Sequence, residues 1–275
     1  MRPDSSLGPI VGPAAESLRG SLASGMAARP VRPAPVPLGV ASVDEAWLGG
    51  GLAAPGVHEL YAAGRKEQAA SLGFALLLGT LRQRRHGQEL VWVREAARER
   101  RGEVAYGPGL AELGVDVRRT TLLVMPDARG VLRAALEATR EAAVSAVVIE
   151  LSGRQPLLDL TASRRFVLAA GEQDTMVLLV RGTGAPTPSA CHTRWRVAAA
   201  PSQPLAANAP GRPAFALDLL RQKGGRDGLQ LIMEWDRDSA SFRSGHRPAA
   251  IAPLSRAQPA VAVGGAGDKR RSRAA

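Results

Sequence analysis

Residues 55–81 read PGVHELYAAGRKEQAASLGFALLLGTL, and their order of pieces decides the fold. A turn leads into a short strand, then a loop of small residues, then a long apolar helix. That is the rhythm of a phosphate-binding loop. Such a loop uses glycines so that backbone N–H groups converge on an anion, a Lys for the terminal phosphates and a Ser or Thr hydroxyl for magnesium. Here the loop runs AAGRKEQAASL from Ala62, and Gly64 is its one glycine. Where Gly-Lys-Thr would open the helix stand Glu67, Gln68 and Ala69. Gln68 supplies no cation, Ala69 no hydroxyl, and Glu67 repels phosphate. A carboxylate at a helix start sits well with the helix dipole, by roughly 0.3–1 kcal/mol. Arg65 and Lys66 are the cations left to meet a phosphate. The stretch therefore predicts the geometry of a nucleotide site without its ligands, and no cofactor or metal.

Outward from this loop the alternation is regular. VHELYA (57–62) is a strand, followed by a helix from about Glu67 to Arg85. ELVWV (89–93), TTLLVMP (120–126), AVVIEL (146–151) and TMVLLV (175–180) are further strands, with helices over DARGVLRAALEATREAA and around 159–170. Asp127 is placed to cap the first of these, and Val131, Leu132, Ala135, Leu136 and Ala138 keep helical spacing. Continuous apolar strands alternating with helices predict an α/β fold, a mostly parallel sheet covered on both faces. After residue 190 the pattern changes to TRWRVAA, AFALDLLRQ and LQLIMEWD, the last two joined by the hairpin turn KGGRDG. Antiparallel strands thus extend the sheet at its C-terminal side.

The chain has 275 residues, enough for one sizeable domain with tails. Residues 1–37 are rich in Pro, Gly and Ala and predict a disordered leader; 38–242 form the domain; 243–275 predict a disordered basic tail. The formal charge is +11, with only Lys66, Lys223 and Lys269 as lysines. From Arg243 onward seven Lys and Arg face one acid, so the basicity is concentrated there. Such charge points to an anionic partner or to an arginine-favouring genome. One cysteine, Cys191, precludes an intrachain disulfide and suits a reducing compartment. The start, MRPDSSLGPIVGP, has no secretory pattern, and no run reaches ~20 apolar residues. A cytoplasmic protein without membrane contact is the expectation.

A magnesium-organising Asp would end the strand AVVIEL, and Glu150 stands there instead, a degenerate metal position. Glu95, after VWV, is expected to pair with Arg94 or Arg98. His58, His86, His192 and His246 have no metal-ligand spacing.

The order of these pieces resembles a RecA-type core. LGGGLAAPGVHELYAAGRKEQAASLGFALLLGTLRQRRHGQELVWVRE matches its first strand, phosphate loop, helix and second strand; AELGVDVRRTTLLVMP and AVVIELSG match the following segment and the metal strand. The degenerate loop, GRPAFALDLLRQKGG and the LIMEWD ending resemble more narrowly the ImuA (inducible mutagenesis protein A) family, a RecA-like, SulA-related group with a degenerate phosphate loop. The resemblance implies a pseudo-ATPase, not an enzyme: an accessory factor of SOS-induced, error-prone translesion DNA synthesis. It implies as partners an ImuB-type Y-family polymerase relative and an error-prone C-family DNA polymerase, with RecA and single-stranded DNA as further candidates. The competing readings are a SulA-like division inhibitor and an active RecA-family DNA-dependent ATPase. In RecA-like folds the loop after the strand TMVLLV leads toward DNA, which nominates Arg181, Arg194 and Arg196 for contact, with Arg154, Arg164 and Arg165 as the second set.

Overall fold

The computed structural model describes residues 34–245, except 154, 185, 203, 206, 208 and 210. After a short helix α1 (Ala41–Asp44) the chain alternates: β1 (Gly56–Ala62), α2 (Gln68–His86), β2 (Glu89–Glu95), α3 (Ala96–Arg100), α4 (Gly107–Glu112), β3 (Thr120–Met125), α5 (Ala128–Thr139), β4 (Val144–Glu150), α6 (Leu160–Gln173) and β5 (Met176–Arg181). Four strands follow: β6 (Thr193–Ala199), β7 (Ala214–Gln222), β8 (Gln230–Asp236) and β9 (Ser241–Ser244). All nine strands form one sheet in the order β3-β2-β4-β5-β1-β6-β7-β8-β9. Pairing is parallel from β3 through β6 and antiparallel from β6 to β9. The parallel sheet with an antiparallel C-terminal side is the one that the strand pattern predicts.

Every position of β1, β4 and β5 is buried, because helices cover both faces of these strands. On one face α2 lays Phe74, Leu77, Leu78 and Leu81 into a core with Leu60, Val148 and Leu178. On the other, α5 and α6 bring Val131, Ala135 and Phe166 against Val57, Val147 and Val177. Helix α2 lies close to the sheet at Gly79, where a Cβ would stand 2.7 Å from Leu90 Cδ1. It stops at Gly87, whose φ of 63° is left-handed and whose N–H donates to Gln83 O at 2.7 Å. Asp127 caps α5 as its sequence position suggests, accepting the Gly130 N–H at 2.7 Å.

The expected limits at 38 and 242 both fall inside the folded chain. Val36 is fully buried and pairs with Leu52 in an antiparallel bridge. Gly51, at φ 138°, permits this approach; a Cβ there would stand 2.4 Å from the Val36 backbone. At the other end β9 runs to Ser244, and the Arg243 guanidinium pairs with Asp236. Phe242 is fully buried, its ring 4.9 Å from Trp235 and 5.3 Å from Phe74. A valine among prolines and a four-residue strand carry too little periodicity to be seen in sequence. Residues 1–33 and 246–275, the bulk of the expected leader and tail, lie outside the described residues.

His58 sits in β1 with no solvent exposure. Its Nε2–H donates to Ala53 O at 2.9 Å, and its Nδ1 accepts from Thr193 Oγ1 at 2.8 Å. The Thr193 oxygen in turn accepts the Trp195 indole N–H at 2.8 Å. The chain of donors is complete only with a neutral imidazole, and burial lowers the His58 pKa to about 4.

Two outcomes follow from this packing. Phe242→Ala should cost about 3–5 kcal/mol in chemical denaturation, and ending the chain at Ala240 should cost at least as much. Because the unfolded chain takes up the His58 proton near pH 6.5 and the folded one near 4, this contribution is complete above pH 6.5. It should fall away as the pH drops from 6.5 toward 4, by up to about 3 kcal/mol. Urea titrations across that range check it, and His58→Gln should flatten the slope.

Candidate functional site

Strand β1 ends at Ala62, and the chain turns through Ala63 and Gly64 into a single 3-10 turn, Arg65–Glu67, before α2. Gly64 is extended, with φ −160° and ψ 173°, a conformation that any residue adopts. Glu67 does not cap α2 with its side chain. Its Oε2 accepts the Ala199 N–H at 2.7 Å, which ties the loop to the end of β6. The carboxylate expected at the helix dipole is therefore a strap between the loop and the neighbouring strand. Gln68 Oε1 accepts from Arg98 Nη1 at 3.3 Å. Arg65, Lys66 and Ala69 are exposed.

Glu150, at the end of β4, is 2% exposed. The Trp92 indole N–H donates to its Oε2 at 3.1 Å, Arg94 Nε lies 3.3 Å from Oε2, and Arg98 Nε lies 3.4 Å from Oε1. Arg98 continues to Glu103 at 2.6 Å and donates to Ser152 Oγ at 3.1 Å. The Arg94 guanidinium also lies 5.0 Å from the Trp92 ring centre, over its face. Burial raises the Glu150 pKa, and the charges of Arg98 and Arg94 oppose the rise. A divalent cation approaching this carboxylate meets a guanidinium beside each oxygen and so two repelling charges. Glu95 does not pair with Arg94 or Arg98, as sequence suggests; its Oε1 accepts the Ser152 N–H at 3.1 Å. The fold thus brings Arg65, Lys66, Gln68, Ala69 and Glu150 to one hollow of about 380 Å³. Among the described residues no cluster of His, Cys, Asp and Glu suits a metal.

Elsewhere the structure separates the arginines nominated for DNA. Arg181 Nη1 lies 3.0 Å from Glu59 Oε1, and Arg194 Nε 2.8 Å from Glu59 Oε2. Glu59 is fully buried, and Ser189 Oγ donates to its Oε2 at 2.8 Å. Both guanidiniums lie over the Tyr61 ring, at 5.3 and 5.8 Å. Arg194 Nη2 donates to Thr187 O at 2.6 Å, and Arg221 Nη1 to Ser189 O at 3.0 Å. The loop after β5 is therefore fastened to the sheet by these arginines, and Arg181 and Arg194 are spent inside the protein. Of the three, Arg196 alone is exposed, 3.5 Å from Asp218 across on β7. Arg164 and Arg165 are exposed on α6, and Arg154 lies outside the described residues. Cys191 is buried, with its thiol pKa pushed up to about 12 by burial, and is no nucleophile.

Sequence reasoning passed over Glu59 and Glu103, and it paired Arg98 with Glu95 instead of Glu150 and Glu103. Glu59 had a signal: a carboxylate inside a strand buried on both faces needs a partner. Removing either guanidinium leaves that charge short of a partner. Arg181→Ala or Arg194→Ala should cost about 3–5 kcal/mol in guanidinium denaturation. Arg196→Ala, which breaks a surface pair, should cost under about 1 kcal/mol. Equal effects from all three would refute this division.

No family model matches the sequence. Protein ImuA from two strains of Caulobacter vibrioides is 31% identical over 210 residues, which span 71% of this chain and 82% of that protein. Among solved structures the RadB recombinase aligns with a TM-score of 0.51 at 16% identity, covering 77% of this chain and 100% of that one. Likeness at that identity carries the fold alone, and it agrees with the RecA-like core read from the strand order. Together with the identity to ImuA along most of both sequences, this places the chain: it belongs to the ImuA family.

Proposed function

We propose that the chain is a non-catalytic accessory factor of SOS-induced, error-prone translesion DNA synthesis, working through protein partners. An ImuB-type Y-family polymerase relative and an error-prone C-family polymerase are the partners this reading assigns, with RecA a further candidate. Family membership supports the process, and the pairing of Glu150 with Arg94 and Arg98 supports the absence of catalysis. Phosphoryl transfer needs a metal ion on the phosphates and a cradle of N–H groups around them. The position where a metal carboxylate would stand is neutralised from within, and Gly64 is extended where a cradle would bend. Direct contact with single-stranded DNA would fall to Arg196, Arg164 and Arg165, since Arg181 and Arg194 are paired with the buried Glu59. Among the described residues no helix is long and apolar enough to cross a membrane.

Neither ATP nor ADP with magnesium should raise the melting temperature. A specific ligand at about 100 times its Kd would add about 2.7 kcal/mol, a shift that scanning fluorimetry resolves easily. A saturable shift, or hydrolysis above a no-protein blank, would overturn the non-catalytic reading. In cells, deleting the gene should abolish damage-induced mutagenesis, and the intact gene supplied in trans should restore it.

A further inference from the structure

The hollow beside the degenerate loop adjoins a second one of about 480 Å³, and the two share Arg65, Gln68, Arg98 and Glu103. Their charge is lopsided. Arg65, Lys66, Arg94, Arg98 and Arg101 line them against Glu103 and Glu150 alone, a surplus of three positive charges. The acids are already engaged: Glu150 by Arg94 and Arg98, and Glu103 by Arg98 and Arg101. Arg65 and Lys66, both exposed, make no ion pair among the described residues. One wall is apolar, formed by Leu72 and Val104 beside the Trp92 ring, and Val104 is 72% exposed.

This mixture selects among anions. A phosphate gains from convergent backbone N–H groups, and here Gly64 is extended and the Glu67 N–H is already held by Gly64 O at 3.0 Å. A phosphate also leaves Val104 and Leu72 unused. A single nucleic-acid strand needs exposed aromatic faces for its bases, and Trp92 is only 3% exposed with Arg94 over its ring. A polypeptide that alternates carboxylates with bulky apolar side chains uses both the cations and the wall.

We propose that the vacated nucleotide cleft is the docking site for an acidic, apolar-rich segment of a partner protein. Arg65 and Lys66 meet its carboxylates, and Leu72 and Val104 meet its apolar side chains. This rests on the reading of the chain as a factor that works through proteins. The geometry is already set without a ligand, because Glu67 fastens the loop to Ala199 and Arg98 fastens the wall to Glu150.

The test uses the full chain and a short fluorescein-labelled peptide in which Asp and Glu alternate with Leu and Phe. Anisotropy should show saturable binding that weakens with added salt. The double variant Arg65→Glu, Lys66→Glu should bind at least about tenfold more weakly, about 1.4 kcal/mol, with its melting temperature unchanged. Val104→Asp should weaken binding as well, and a peptide with Lys in place of its acids should not bind. Equal binding by the double variant, no binding by the native chain, or tighter binding of inorganic tripolyphosphate than of the peptide would each overturn the proposal. Mutagenesis in cells separates this from the broader reading. If the deletion leaves damage-induced mutagenesis intact, the accessory-factor reading fails. If the native gene and the double variant restore it equally, at equal protein levels, only the docking site fails.

Discussion

A carboxylate in the middle of a strand buried on both faces has to be neutralised from inside the protein, and Glu59 in β1 imposes that constraint on everything around it. Strand β1 lies between β5 and β6, so the partners available are side chains from those two neighbours. Arg181 ends β5 and Arg194 stands opposite Glu59 on β6, and both turn inward to it. Ser189 joins from the loop between them. An uncompensated charge there would cost several kcal/mol, which is comparable with the whole stability of a domain. The path of the β5–β6 loop is thus a consequence of one buried acid, and a segment nominated for contact with DNA becomes an internal brace.

The same physics recurs one strand over. Glu150 lies at the end of β4, against β2, and takes Arg94 from that strand and Arg98 from the helix after it. In both clusters one carboxylate holds two guanidiniums, and in the second Glu103 adds a further acid on Arg98. The difference lies in what faces outward. Around Glu59 the arginines are covered by the loop they hold, whereas around Glu150 the cluster floors an open cleft with Arg65 and Lys66 at its rim. Neither acid is free to ligate a metal, but one of the two sites still presents charge to whatever approaches it.

How much of this was legible in the sequence depends on the range of the interaction. The alternation of strands with helices and the two-sided burial of β4 and β5 follow from continuous apolar runs, because burial is the property that those runs encode. The loss of the phosphate ligands was equally plain, since it concerns residue types at fixed positions of one loop. The destinations of the arginines were not legible. Arg194 and Arg196 stand two residues apart on one strand and share a face, yet one turns inward onto Glu59 and the other lies at the surface beside Asp218. The register of β6 on its neighbours separates them: Arg194 stands opposite Glu59 of β1, whereas Arg196 stands opposite Tyr61 and, on β7, Asp218. Glu103 was likewise invisible as a partner of Arg98, and β9 was too short to show a period. In the opposite direction, the mere presence of His58 and Glu59 within an otherwise apolar strand carried more information than its reading used.

Internal pairing also bears on what the cleft is able to do. A loop that needs a bound anion to fix its shape spends part of its binding energy on ordering itself. Here Glu67 and Ala199 fix the loop, and Gln68, Arg98 and Glu150 fix the wall, all with groups from the same chain. The surface is preorganised, so little of a partner's contact energy is lost to ordering the chain side of the interface. The pairing around Glu150 thus also shapes a hollow that is positively charged and partly apolar. At Glu150 each oxygen has an arginine beside it, so an approaching cation meets like charge, while Arg65 and Lys66 carry the exposed charge at the rim.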